Sequence, residues 1–140
     1  RPKKSGPLDG DGKRSIYIGV NRNFMSPLML AFDTPPPATT VGRRPISNVP
    51  AQALILMNDP FVVAQSHMWS GRLASRDLND RELIDRMYRQ VFGRSARQDE
   101  VAVAGSFLKG QASLHSGDRE KAIADLAHVL FNVKEFIFVN

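Results

Sequence analysis

Pro50-Ala51-Gln52-Ala53-Leu54-Ile55-Leu56-Met57 is the stretch on which the fold turns. It holds one polar side chain among apolar ones, opens with a proline where the first helical turn accepts it, and stops before Asn58-Asp59-Pro60. A short helix apolar on every side is normally buried, so the expectation is that Leu54–Met57 lies at the centre of a helical body. Asn58 or Asp59 then caps a following helix with Pro60 at its first position, running to about Ser75 with Phe61, Ala64, Met68 and Trp69 as its inward stripe.

Downstream, helical spacing continues. Asp80 is the expected cap of a helix with Leu83, Ile84, Met87, Tyr88 and Val91 on one face, ended by Gly93. Ser95-Ala96-Arg97-Gln98 fits a capping box opening a helix with Val101, Ala104, Phe107 and Leu108 inward and Gly110 at its end. Asp118 begins a last helix with Ala122, Ile123, Leu126, Ala127, Val129 and Leu130 facing in. The tail Phe136-Ile137-Phe138-Val139 is apolar enough to need cover. It is expected to pack as a strand beside Ser15–Val20, where Ile16, Ile18 and Val20 alternate.

Upstream of Pro50 the character changes. Residues 1–50 carry eight Lys/Arg against Asp9, Asp11 and Asp33, and eight of the nine prolines, while residues 51–140 are charge-balanced with eleven basic and eleven acidic residues. Ser26-Pro27 starts a short helix through Leu28–Phe32, closed by Pro35-Pro36-Pro37, and Ala38–Val49 reads as loop. The division is therefore a basic, Pro-rich arm over 1–49 packed on a helical body over 50–140. The fold class is mainly α, an irregular bundle of four to five helices with at most one short strand pair.

With 140 residues and 42% hydrophobic ones, the chain suits one ordinary core, and no apolar run is long enough for a membrane span. The absence of cysteine excludes disulfides, thiolate metal sites, a cysteine nucleophile and c-type haem attachment. The opening Arg1-Pro2-Lys3-Lys4 lacks an apolar h-region and reads like the interior of a longer polypeptide.

Chemistry-bearing motifs are few. Asp9-Gly10-Asp11-Gly12 begins like a calcium loop, but Lys13 and Val20 stand where the loop needs oxygen donors, so a turn is the better reading. His67, His115 and His128 share no ligand spacing, and phosphate-binding glycine loops and nucleophile elbows are missing. No metal, no cofactor and no catalytic constellation are expected, and whether the chain is an enzyme is left open. Arg14, Arg22, Arg43 and Arg44, with Asn48, form the candidate anion or partner site, because a guanidinium fork matches carboxylate, sulfate or phosphate. The plainer alternative is that these arginines tie down loop carbonyls or pair with Asp33. Nucleic acid is not expected, since only Tyr17 and Phe24 could stack nearby. Asn58-Asp59 and Asn132 with Glu135 read as helix-end partners.

Several sequence words occur in order: Lys13–Tyr17, Met29–Asp33, Arg43–Pro50, Gln52-Ala53-Leu54 and Leu56–Phe61, then Val91-Phe92-Gly93-Arg94 with Asp99-Glu100, and Asn132–Phe138. From about Ser5 to the end they resemble the planctomycete-type C-terminal domain of unknown function, the PSD-one family, which accompanies cytochrome-c-like domains. The resemblance implies the C-terminal part of a larger exported protein, in the periplasm or at the cell surface, and supplies no catalytic residues. Two functions follow as expectations. One is a non-catalytic interaction or scaffolding domain, docking on other domains of its own polypeptide or on a cell-envelope protein. The other is part of an enzyme or carbohydrate-binding unit acting on an anionic extracellular polysaccharide.

Overall fold

The computed structural model describes residues 17, 25–34 and 49–137. The expected strand at Ser15–Val20 lies outside them except for Tyr17, which sits in a 3₁₀ turn and is exposed. The Asp9–Gly12 turn, the Pro35–Pro37 stop and most of the 38–49 loop also lie outside. The described residues form seven helices and no strand: α1 (Pro27–Ala31), α2 (Val49–Asn58), α3 (Pro60–Ala74), α4 (Asp80–Phe92), α5 (Gln98–Leu114), α6 (Arg119–Phe131) and α7 (Lys134–Ile137). The mainly α expectation holds. The chain divides into two compact units, Arg1–Phe61 and Val62–Asn140.

In the first unit α1 lies against α2. Ser26 is its N-cap residue but makes no side-chain cap bond, and Pro27 takes the first helical position. The helix ends by Phe32 and Asp33, whose left-handed φ of 56° turns the chain before the prolines are reached. Along α2, Gln52 and Leu56 are buried one turn apart, while Leu54 and Met57 are 61% and 57% exposed. The expectation that Leu54–Met57 forms the centre is thus corrected: only Leu56 of the four is buried. Apolar content fixes how much surface a helix would hide, not whether neighbours exist to hide it.

The second unit holds the main core, formed by Leu83, Ile84 and Met87 of α4, Ala104 and Leu108 of α5, Leu73 of α3, and α6. α6 is its most enclosed helix, with Ala122, Ile123, Ala124, Leu126, Ala127 and Leu130 all buried. Three of these are alanines, and small side chains let neighbouring helices, α5 above all, approach closely. Val129, expected inward, is 46% exposed.

Helix ends follow local chemistry with some shifts of position. Asp59 accepts from the Phe61 N–H at 2.8 Å and so caps α3. Asn79, rather than Asp80, caps α4: its Oδ1 accepts from the Glu82 N–H at 3.0 Å and Glu82 Oε2 accepts from the Asn79 N–H at 3.2 Å. Gly93 ends α4 at φ 70°, as expected from its freedom in the left-handed region. In place of the box expected at Ser95–Gln98, a single bond forms two residues on, where Glu100 Oε2 accepts from the Arg97 N–H at 2.7 Å and the Arg97 side chain makes no cap bond. α5 runs through Gly110 to Leu114 and ends where Ser116 and Gly117 take positive φ, with Gly117 N–H donating to Ala112 C=O at 2.7 Å. Asp118 caps α6 by accepting from the Lys121 N–H at 3.1 Å.

The inward face of α3 is also rotated from the expected one. Val62, Ser66, Ser70 and Leu73 are buried, whereas Met68 is 51% exposed. Both serines donate their hydroxyls to carbonyls three residues back, Val63 at 2.7 Å and His67 at 2.8 Å, so they enter the core without an orphaned polar atom. The tail is corrected too. Phe136 and Ile137 belong to α7, a helical turn that satisfies its own backbone while Phe136 packs on Phe131, ring centroids 5.3 Å apart.

Candidate functional site

A groove of about 390 Å³ lies in the second unit, at the low end of the range of small-ligand sites, about 300–1,000 Å³. Trp69, Arg72, Leu73 and Arg76 reach it from α3 and the turn that follows, at spacings that put them on one helical face. Arg86, Gln90 and Val91 come from α4, again one turn apart, and α6 and α7 supply Phe131 and Phe136. The rings are in mutual contact: Trp69 stacks on Phe131 with centroids 5.6 Å apart, and Phe131 meets Phe136. The indole Nε1 of Trp69 donates to Gln90 Oε1 at 2.8 Å, joining α3 to α4 across the groove.

Arg72, Arg76 and Arg86 bring three positive charges to this groove, and none pairs with a carboxylate among the described residues. The Nε of Arg86 is buried with no hydrogen-bond partner. A buried guanidinium N–H left without an acceptor costs free energy, and Arg86 is among the residues that line the groove. Like charges gathered there repel one another, which a bound anion would relieve.

Arg94 presents the opposite case. It follows Gly93 and binds both Glu100 and Glu135 with paired contacts. Its Nη1 reaches Glu100 Oε2 at 2.8 Å and the Ser95 carbonyl at 3.1 Å. Nη2 reaches Glu100 Oε1 at 2.7 Å and Glu135 Oε2 at 2.8 Å, while Nε reaches Glu135 Oε1 at 2.7 Å. The guanidinium also lies 5.5 Å from the Tyr88 ring centroid and 5.7 Å from that of Phe92. Every one of its five N–H donors is engaged, so Arg94 is a clamp joining the α4–α5 turn to α7, with no donor for a ligand.

The charges within the clamp hold one another ionised. Hydrogen bonds from Arg94 draw the Glu100 carboxyl down to about 2, and the same arginine lowers Glu135. The two carboxylates in turn raise the Arg94 guanidinium. Burial raises the Tyr88 hydroxyl, with the Glu100 charge acting in the same direction.

Of the other polar candidates, His115 Nε2 lies 2.6 Å from Asp125 Oδ2, bracing the α5–α6 turn. Asn58 donates to the Leu54 carbonyl and Asn132 to that of His128, as helix-end partners. No group of His, Asp or Glu among the described residues is placed to hold a metal ion. Arg14, Arg22, Arg43, Arg44 and Asn48 lie outside the described residues.

Arg72, Arg76, Arg86 and Gln90 escaped sequence reading because none belongs to a named motif, while Trp69 and Val91 were expected only as core-facing residues. The signal was nevertheless present: Trp69, Arg72 and Arg76 recur at three and four residues, as do Arg86 and Gln90 on the polar side of α4.

Among known protein families, residues 2–108 match PSD1, described as a protein of unknown function (DUF1553). The match takes in α1 to α4 and α5 as far as Leu108, and so includes Arg72, Arg76, Arg86, Arg94 and Glu100. No curated protein and no solved structure matches the chain.

Proposed function

From the premise that the chain belongs to the PSD1 family of proteins of unknown function (DUF1553), we propose that it is a non-catalytic interaction domain that holds an anionic group of its partner in the Trp69–Phe136 groove. The observation that carries this reading is the gathering of Arg72, Arg76 and Arg86 in one groove, unpaired with any carboxylate among the described residues. Arginine suits such a role because its fork stays charged and matches an oxyanion. The donors of Arg94 illustrate the alternative arrangement, in which a structural arginine is given carboxylates by its own chain.

The setting is part of the proposal: the domain serves an exported multidomain protein of the periplasm or cell surface, in company with cytochrome-c-like modules. It docks other domains of that polypeptide or a cell-envelope protein. Support comes from the family resemblance. The basic residues Arg14, Arg22, Arg43 and Arg44, with Asn48, would add to the partner contact. The alternative is an enzyme part or carbohydrate-binding unit acting on an anionic extracellular polysaccharide, using the same oxyanion-binding chemistry.

Thermal unfolding with poly-L-glutamate and dextran sulfate tests the reading. At low salt a polyanion should raise Tm, and high salt should remove most of the rise. The Arg72→Ala/Arg76→Ala variant should lose the effect with little change in its own Tm, whereas Arg43→Ala/Arg44→Ala should keep most of it. Absence of stabilisation by either polymer would refute an anion-binding groove.

A further inference from the structure

We infer that the occupant of the groove is a polypeptide segment in which a carboxylate sits beside an apolar side chain, the carboxylate on Arg86 and the apolar group against Phe131 and Phe136. The inference rests on the anion-binding reading above and adds the ligand's chemical class.

The lining's hydrogen-bonding capacity is one-sided. Arg72, Arg76 and Arg86 offer donors only. Gln90 can offer both kinds, but its Oε1 already accepts from Trp69 at 2.8 Å, leaving the amide N–H₂ and one lone pair to extend to a ligand. A carboxylate accepts without donating and fits such a lining. Sugar hydroxyls donate as well as accept, and among the polar side chains named here only the second lone pair of Gln90 Oε1 could receive them. Sulfate would satisfy the arginines, yet it brings nothing to the apolar wall.

That wall is the second half of the argument. Leu73, Val91, Phe131 and Phe136 line the same groove as the guanidinium groups. Trp69 and Phe131 stack on each other, which commits ring surface that a sugar would need for stacking. An aliphatic side chain needs only apolar contact, so it can use the ring edges and the Leu73 and Val91 methyl groups. An acidic residue next to an aliphatic one thus meets both chemistries, and charge complementarity sets its orientation.

Trp69 supplies the assay, being the chain's one tryptophan and a groove residue. Its emission would be followed while an acetylated, amidated hexapeptide of alternating Leu and Glu is added to the whole chain. Comparison probes are the same peptide with Gln for Glu, the same peptide with Ser for Leu, and dextran sulfate. The Leu/Glu peptide should give a saturable change. Replacing Glu by Gln should weaken it at least about tenfold, as expected when charge-assisted hydrogen bonds are lost. Ser for Leu should weaken it as well, and Arg86→Gln should reproduce the loss seen with the Gln peptide. Because Arg86 is partly buried, Arg72→Gln at an exposed position provides a second variant, expected to weaken binding without altering the fold. Equal binding of the Leu/Glu and Ser/Glu peptides, or preference for dextran sulfate, would overturn the peptide inference and leave the anion groove standing. Failure of every probe to move Trp69 emission would sink both.

Discussion

Replacing Ile84 and Leu54 by alanine, one at a time, tests where the chain keeps its apolar interior. Ile84 is 0% exposed in the α4–α5–α6 core, whereas Leu54 on α2 is 61% exposed. Each change removes three carbons. At roughly 0.8 kcal/mol per buried carbon, Ile84→Ala loses about 2.4 kcal/mol of transfer free energy. A residual cavity adds to this, so the expected cost is about 3 kcal/mol, within the usual ~2–5 kcal/mol for such truncations. For Leu54, with about two-fifths of its surface covered, the same arithmetic gives about 1 kcal/mol or less. Urea unfolding followed by far-UV circular dichroism reads the difference. With an m-value of ~1–3 kcal/mol/M, Ile84→Ala should lower the midpoint by about 1–3 M, and Leu54→Ala should lower it by a fraction of that. Equal losses, or an Ile84→Ala variant within about 0.5 kcal/mol of the parent, would refute this placement of the core.

Other perturbations have equally definite outcomes. Glu100 has its folded carboxyl held at about 2, below the ordinary 4.5, so it stabilises the fold above about 4.5 and the contribution is lost as pH falls toward 2. Glu100→Gln should therefore flatten the acid limb of stability against pH, and acid limbs of equal steepness would count against the clamp. Gly110→Ala should raise stability by ~0.5–1 kcal/mol in a urea titration, since Gly110 lies within α5 and an added Cβ meets nothing within 4 Å. Asn79→Ala should cost about 1 kcal/mol by the same method, through loss of half of the α4 capping box. A neutral result there would place the start of α4 elsewhere.

The helical character of the chain was readable because α4 and α6 repeat large apolar residues at helical spacing and end in recognisable caps. Which helix would be enclosed was not. α2 has the more apolar run, yet the alanines of α6 admit neighbours on several sides, a property of packing partners that one segment does not encode. The α3 face was misjudged for a related reason. Ser66 and Ser70 count as polar in a pattern, but once their hydroxyls are tied to the preceding turn they behave as small core residues. Phe136 and Ile137, expected to open a strand over Phe136–Val139, are helical instead, because four consecutive apolar positions do not reveal their period. The groove depends on α3, α4, α6 and α7 meeting, so nothing in the α4 segment alone tells Arg86 from a solvated arginine.

The contact between Arg94 and Glu135 spans 41 positions and crosses the point where the family match stops. Anyone designing chimeras or expression fragments at the matched boundary would sever α6 and α7 from the helices they cover and strip one counter-ion from Arg94. A charge reversal at position 135 would set a cation beside Arg94, which keeps Glu100 as its other partner. The transferable piece of this chain therefore extends at least through Ile137, and its two distant sequence words must travel together.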